Sequence, residues 1–314
     1  MGIWSWFQSL FSSSPSYTGT VIKHVKVTDV IDGDTLHVTF NGKNERLRLL
    51  CVDTEESQSG GSKPVTHAGK MASEMAKKYF ASGNGWCEIT IEFDTTDPTQ
   101  HCLEYHRGTY GRLLCYVWKD GEHYNQKLIE EGWSPYFVKY GSSRLYDATF
   151  QKVHDQARKD KLVIWDPATN KGGPSRDYDA LLPWWEARGA RVKTFRKTGR
   201  PAGALDVRED YAKILDAMKQ SSEATVFCDL QQGIQAYPGN GAVAYIGSKA
   251  HPLSLWIPDA ESEDGKQIVE LIEKTYAKRG LGFAYITGKV TSYKDAPQVE
   301  ITSPSQIQEG YPPS

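Results

Sequence analysis

The chain has 314 residues, of which 39% are hydrophobic and 24% are charged. This is about twice the ~150 residues of an average domain, which predicts two domains or one enlarged domain. The apolar content excludes intrinsic disorder, and no apolar run approaches the ~18 residues of a membrane-spanning helix. A net charge of −2 removes the simple argument that an overall basic protein binds nucleic acid.

Residues 1–17 differ from the rest of the chain and are interpreted as an N-terminal leader. Trp4, Phe7 and Leu10 would lie on one face of a short helix, but the positive n-region and cleavage site of a secretory signal are missing. Helices that bind a membrane surface usually carry Lys or Arg, and this segment has none. We therefore expect a disordered or loosely docked leader, with contact to a membrane surface as the alternative.

Residues 18–166 are predicted to form a first domain, a small Greek-key β-barrel capped by helices. The segment 21–40 alternates β-branched residues, breaks at Asp32-Gly33-Asp34 and ends at an Asn41-Gly42 turn, which is typical of a β-hairpin. Further strands are predicted over residues 46–52, 87–93 and 112–118, and helices over 67–81, 126–131 and 149–160.

Carboxylates and arginines gather in these strands and at their ends. Asp34 and Asp53 offer the hard oxygen ligands that Ca²⁺ or Mg²⁺ prefers, whereas the five cysteines form no CxxC pair that would favour zinc. Glu56 follows Asp53 by three positions and could deprotonate a water beside the metal. Arg48 and Arg112 could hold a phosphodiester and its extra transition-state charge. Each acidic turn by itself has a simpler interpretation as a solvated turn, but together these residues predict a site for phosphodiester hydrolysis.

Three segments of the first domain resemble the signature segments of the staphylococcal nuclease (thermonuclease) family. They read VIDGDT at residues 30–35, RLLCVDTEE at 48–56 and YGRLL at 110–114, and LVIW at 162–165 resembles the end of that domain. Agreement of separate motifs in the right order is a stronger signal than any one of them. The resemblance implies a mainly β fold with helices (α+β), namely a five-stranded OB-fold barrel.

The same resemblance implies a Ca²⁺-dependent endonuclease that cleaves single-stranded DNA, double-stranded DNA and RNA with little sequence preference and leaves 3′-phosphates. Its metal ligands would be Asp34, Asp53 and the backbone carbonyl of Thr54. Glu56 matches the proposed general base. The scissile phosphate would be bound by Arg48 and Arg112. No small-molecule cofactor is implied.

Some positions depart from the family pattern or leave their role open. Glu55 stands where the family usually has proline, so either Glu55 or Glu56 could act as the base, and the register favours Glu56. Tyr110, Tyr136 and Tyr140 match tyrosines near the nucleotide, with half-buried packing as the alternative role.

The remaining chain is predicted to be a basic helical connector over residues 167–205 and an OB-fold-like accessory domain over 206–314. Asp206 is predicted to cap a helix that ends at Lys219. Strands are predicted over residues 226–228, 243–246, 253–257, 283–290 and 298–301, and a helix over 267–278. The strands after residue 288 resemble the closing strands of nucleic-acid-binding OB domains. Such domains stack bases on aromatic side chains, for which the candidates are Tyr237, Tyr245, Trp256, Tyr285 and Tyr293.

The net charge is unevenly distributed along the chain. Residues 1–200 carry 27 basic and 24 acidic groups, whereas residues 201–314 carry 10 basic and 15 acidic groups. The second domain therefore has a net charge of −5, which is poor for non-specific phosphate binding. Residues 166–200 carry a net charge of +4, so we expect nucleic acid along this connector.

These observations favour an active nuclease, because every side chain that the chemistry needs is present. The alternative is a non-catalytic scaffold that binds nucleic acid or protein on a nuclease-like fold. A secreted or cell-envelope location is expected, with the cytoplasm as the alternative.

Overall fold

The computed structural model describes residues 17–59 and 63–311. The predicted leader therefore lies outside the described residues, apart from Tyr17. The chain folds as two compact units. The first comprises the described residues up to Cys102, Leu114–Tyr136 and Ser143–Arg176, and the second comprises Leu103–Leu113, Phe137–Ser142 and the described residues from Asp177 onward. Within the described ranges, no helix is long and apolar enough to cross a membrane.

The described residues of the first part of the chain contain strands and four helices in the order predicted for a capped barrel. The elements are β1 Val21–Asp32, β2 Thr35–Phe40, β3 Lys43–Leu49, α1 His67–Phe80, β4 Ala81–Ser82, β5 Gly85–Trp86, β6 Glu88–Glu92, α2 Thr99–Tyr105, β7 Leu113–Lys119, β8 Glu122–His123, α3 Tyr124–Glu130, α4 Asp147–Lys159 and a 3-10 turn Val163–Trp165.

The strands of the first unit form a closed barrel. Their order is β3-β2-β1-β6-β7, and a pairing between β3 and β7 closes it. Alternate side chains of β1, β2 and β3 are buried in its core, among them Val25, Val38 and Leu47 at 0% exposure. Asn41 and Gly42 between β2 and β3 both have positive φ, as a tight hairpin turn requires. The predicted OB-fold barrel is confirmed.

Among the described residues, the second part of the chain contains three α-helices and a sheet. The elements are α5 Tyr178–Thr194, a π-helical turn Phe195–Gly199, β9 Leu205–Asp206, α6 Tyr211–Gln220, β10 Glu223–Asp229, β11 Gln235–Ala236, β12 Ala242–Tyr245, β13 Ser254–Ile257, α7 Glu263–Leu271, a π-helical turn Ile272–Tyr276, β14 Phe283–Tyr293, β15 Ala296–Glu300, a 3-10 turn Pro304–Gln306 and β16 Ile307–Gln308.

The sheet of the second unit runs in the order β12-β13-β15-β14-β10, with β13 and β15 parallel. Helix α7 lies between β13 and β14 in the sequence, and this arrangement is OB-fold-like. The core includes Val226, Leu255 and Ile268, each at most 1% exposed. The predicted mainly β fold with helices therefore holds for both units.

The predicted helix cap at Asp206 is wrong. Asp206 lies in β9 and its carboxylate accepts hydrogen bonds from the backbone N–H groups of Arg208 and Glu209. Helix α6 begins only at Tyr211. Aspartate satisfies the N–H groups of a turn with the same geometry that it uses at a helix end, so the sequence signal was real but belonged to the preceding turn.

Candidate active site

The turn between β1 and β2 positions Asp34. The Asp32 carboxylate accepts a hydrogen bond from the Asp34 backbone N–H at 3.1 Å, which tightens the turn. A Cβ atom on Gly33 would lie 2.7 Å from the Thr54 side chain, so a larger residue would push the turn away from the loop after β3. Asp34 is 5% exposed, and its Oδ2 accepts a hydrogen bond from the Thr54 backbone N–H at 2.9 Å.

The loop after β3 carries Asp53, Thr54, Glu55 and Glu56. At one end of the loop, the backbone N–H of Asp53 donates a hydrogen bond to Ser134 Oγ at 2.8 Å. At its other end, the Glu56 carbonyl accepts a hydrogen bond from Thr66 N–H at 3.1 Å. The loop is therefore anchored at both ends.

Arg48 joins the two carboxylates predicted as metal ligands. Its guanidinium lies 3.0 Å from Asp34 Oδ2 and 2.7 Å from Asp53 Oδ1. It also donates to the carbonyls of Leu49 and Val52 at 3.0 and 2.8 Å. Arg48 is thus fixed by its own loop and lies directly between the two predicted ligands.

Two further cations, which the sequence analysis did not identify, surround Asp53. Lys63 Nζ lies 2.9 Å from Asp53 and 3.4 Å from Glu56. Arg176 Nη1 lies 2.9 Å from Asp53 Oδ2, and its Nη2 donates to the Thr54 carbonyl at 2.8 Å. Burial alone would raise the pKa of Asp53, but Arg176, Lys63 and Arg48 outweigh it and hold this pKa below its usual value.

The structure separates the two glutamates that the sequence left as alternative bases. Glu55 is 2% exposed, and its Oε2 lies 3.5 Å from Asn170 Nδ2. The Glu56 side chain is 34% exposed and lies beside the cations that contact Asp53, at 3.4 Å from Lys63 and 3.7 Å from Arg176. Glu56 is thus open to solvent beside these charged groups, whereas Glu55 is buried.

Carboxylate and backbone oxygens of this site form a donor set that fits a hard divalent cation. The carboxylates of Asp34 and Asp53 and the carbonyl of Thr54 converge closely enough that the guanidiniums of Arg48 and Arg176 bridge them in pairs. All three donors are oxygens, which suits Ca²⁺ or Mg²⁺. A metal would be held by Asp34, Asp53 and Thr54, as predicted from the resemblance.

The remaining predicted site residues lie partly in the second unit. Arg112 directly precedes β7, and its guanidinium lies 5.8 Å from the centre of the Tyr110 ring. Tyr110 and Tyr140 are 67% and 51% exposed, so both rings are accessible. Tyr136, in the first unit, is 3% exposed and its hydroxyl donates to Asp147 at 2.8 Å. Its buried ring is not open to a base, so the predicted nucleotide contacts rest on Tyr110 and Tyr140.

The basic connector is less available for phosphate than its charge suggests. In the second unit, the Arg188 side chain is 1% exposed and pairs with Asp229 at 2.7 Å. Arg200 pairs with Asp210 at 3.1 Å. These arginines are already neutralised by carboxylates, which the local count of charges could not reveal.

The sequence of the barrel region matches a known family. The family described as "Staphylococcal nuclease homologue" matches residues 46–167. Endonuclease YncB of Bacillus subtilis is 35% identical over 152 residues, which is 48% of this chain and 66% of that protein. The SPbeta prophage-derived endonuclease YokF of the same organism is 34% identical over 141 residues, 45% of this chain and 43% of that protein.

A thermonuclease from Staphylococcus hyicus is 34% identical over 140 residues, which cover 45% of this chain and 74% of the thermonuclease. The chain thus aligns with less than two thirds of the two Bacillus proteins but with about three quarters of the staphylococcal enzyme. Together with the closed barrel and the cluster of Asp34, Asp53 and Arg48, this similarity places the chain in the staphylococcal nuclease family.

Proposed function

We propose that the chain is a Ca²⁺-dependent endonuclease that hydrolyses DNA and RNA with little sequence preference. The observation that carries this proposal is the convergence of Asp34, Asp53, the Thr54 carbonyl, Glu56 and Arg48 within one unit. The relatives named endonuclease and thermonuclease support it. A scaffold without catalysis would not need these buried charges, which are costly to remove from water.

The proposed chemistry gives each of these residues a role. When bound at Asp34, Asp53 and Thr54, Ca²⁺ supplies positive charge that polarises the phosphodiester. Glu56 accepts a proton from the water whose oxygen attacks phosphorus. Arg48 and Arg112 stabilise the additional negative charge on the phosphoryl oxygens. The P–O5′ bond breaks, the 5′ oxygen takes up a proton from solvent, and the products carry a 3′-phosphate and a 5′-hydroxyl.

The second unit is proposed to bind single-stranded stretches of the substrate. Tyr245 and Tyr293 are 60% and 44% exposed, as stacking on bases requires. Tyr285 is 2% exposed and is removed from the predicted set of stacking residues. Binding of a protein by this unit is the alternative, which the net charge of −5 over residues 201–314 keeps open.

A digest of single-stranded DNA with Ca²⁺, Mg²⁺ or a chelator tests the proposal directly. We expect cleavage with Ca²⁺ and none with the chelator. The fragments should accept a polymerase extension only after phosphatase treatment, because a 3′-phosphate blocks it. Cleavage that resists chelation would contradict the metal site, and extension without phosphatase would contradict the bond assignment.

A further inference from the structure

Arg176 lies outside the matched family region yet contacts its predicted metal ligands. The family match ends at residue 167, nine positions before Arg176. The Arg176 side chain is nevertheless only 4% exposed. The next residue, Asp177, caps helix α5 by accepting a hydrogen bond from Ala180 N–H. The contact to the site is therefore made by the chain segment that leads into α5.

The contacts of Arg176 coincide with two of the three oxygen donors assigned to the metal. Its Nη1 lies 2.9 Å from Asp53 Oδ2 and 3.1 Å from the Asp53 carbonyl, and its Nη2 lies 2.8 Å from the Thr54 carbonyl. The Arg48 guanidinium contacts two other carboxylate oxygens, Asp34 Oδ2 and Asp53 Oδ1. The guanidinium of Arg176 therefore already serves as a cation for this donor set.

A divalent cation and Arg176 cannot share these oxygens at the observed distances. Ca²⁺ binds its ligands at about 2.3–2.6 Å, which would bring it close to a guanidinium nitrogen on the same atoms. Like charges in a poorly solvated site repel strongly. The carboxylates of Asp34, Asp53 and Glu56 moreover already contact Arg48, Lys63 and Arg176. Entry of a doubly charged ion therefore requires that one of these cations leaves.

We propose that Arg176 competes with the divalent cation and closes the metal site until the cation displaces it. This inference rests on the proposed function, because it assumes the metal site at Asp34, Asp53 and Thr54. Arg176 is the residue to leave, because of the three cations it alone binds both the Asp53 carboxylate and the Thr54 carbonyl. Lys63 contacts only the carboxylates of Asp53 and Glu56, and Arg48 is also held by the carbonyls of its own loop. Arg176 thus acts as an autoinhibitory contact that sets the Ca²⁺ concentration at which the enzyme becomes active.

Calorimetric titration of the full chain with Ca²⁺ tests this competition. We expect Arg176→Ala and the neutral, similarly long Arg176→Gln to bind Ca²⁺ about ten- to a hundredfold more tightly than the original protein, since hydrogen bonds to charged groups no longer oppose binding. The Ca²⁺ affinity of Arg176→Lys should lie between that of the original protein and that of these two variants, because lysine keeps the charge but not the paired donors. Lys152→Ala, which removes an exposed charge from α4, should bind like the original protein.

Thermal unfolding with and without Ca²⁺ provides a readout that is independent of activity. The increase in Tm caused by Ca²⁺ should be larger in Arg176→Gln than in the original protein, because binding no longer has to break the Arg176 contacts. Introducing Asp53→Asn into Arg176→Gln should abolish this increase.

The outcomes separate this inference from the proposed function. Equal or weaker Ca²⁺ binding by both Arg176→Ala and Arg176→Gln would overturn the competition and leave the metal site intact. Absence of Ca²⁺ binding in the original protein and in both variants would overturn the metal site itself, and the competition with it.

Discussion

The carboxylate of Asp34 accepts a hydrogen bond from the backbone N–H of Thr54 at 2.9 Å. This bond joins the turn between β1 and β2 to the loop after β3, although the two residues are 20 positions apart. It aligns an acidic side chain with Thr54, whose own carbonyl, in the next peptide group, is the third proposed ligand. In the proposed metal site, Asp34 would thus act both as a ligand and as a support.

Asp34→Asn should separate these two roles. Asparagine keeps an oxygen for the Thr54 N–H but loses the charge that a Ca²⁺ ligand contributes, so Ca²⁺ affinity should fall by at least tenfold, or about 1.4 kcal/mol. Stability in urea should change much less. An unaltered Ca²⁺ affinity would show that Asp34 is only a support.

Glu56→Gln and Glu55→Gln form a matched pair that identifies the general base. Loss of a positioned base should lower kcat of Glu56→Gln by about 10²–10⁴-fold, with Ca²⁺ binding retained. Glu55→Gln should stay within a few-fold of the original rate, since Glu55 is buried near Asn170. The reverse order of rates would assign the base to Glu55 instead.

Arg112→Ala should lower kcat on single-stranded DNA by about 10²–10³-fold, the effect of removing one donor to the transition-state charge. Arg112→Lys should recover only part of the rate, because lysine cannot form the paired hydrogen bonds of a guanidinium. A rate equal to that of the original protein for Arg112→Ala would remove Arg112 from the catalytic residues.

Stability should fall as the pH falls from about 6.5 to 4, in part because of His123. Burial lowers the pKa of His123 from 6.5 to about 3, so the folded state binds fewer protons than the unfolded state in this range. Its contribution is fully present above pH 6.5 and declines by up to about 1.4 kcal/mol per pH unit below it.

Urea unfolding of His123→Asn at several pH values measures this contribution. Asparagine can still accept the hydrogen bond that His123 Nδ1 receives from Gln126 N–H, so the helix cap is kept while the titrating group is removed. The slope of the free energy of unfolding against pH should decrease by an amount that corresponds to at most one bound proton.

Tyr245→Ala should weaken binding of long single-stranded DNA by roughly 1–3 kcal/mol if one base stacks on this ring. Cleavage of a short oligonucleotide should proceed at the original rate. Gln267→Ala, an exposed and uncharged position on α7, provides the control. Unchanged binding of both Tyr245→Ala and Tyr293→Ala would leave the second unit without a stacking role and favour the protein-binding alternative.

The residues of local turns and hairpins were predictable from the sequence. The Asn41-Gly42 turn and the alternation of β1 are dictated by backbone sterics and by burial of one face of each strand. The clustering of Asp34, Asp53 and Glu56 was predictable because ordered motifs matched those of a family. These features depend on neighbours in the sequence or on a shared pattern, and both can be read without coordinates.

Helix α2 and the start of α6 were not predicted correctly. Helix α2 has only seven residues, and such short helices depend on tertiary contacts more than on propensity. At Asp206, a turn and a helix cap offer the same N–H groups to a carboxylate, so the sequence could not distinguish them.

Arg176 shows most clearly what only the tertiary structure decided. It pairs with Asp53 across 123 positions, in a connector whose basic residues were predicted to face nucleic acid. The sequence alone determined that the candidate acidic ligands and an excess of basic residues in the connector are present. Which arginine contacts Asp53 and Thr54 depends on the path by which the folded chain returns to the barrel. A contact between residues that are far apart in the sequence leaves no periodic or local signal.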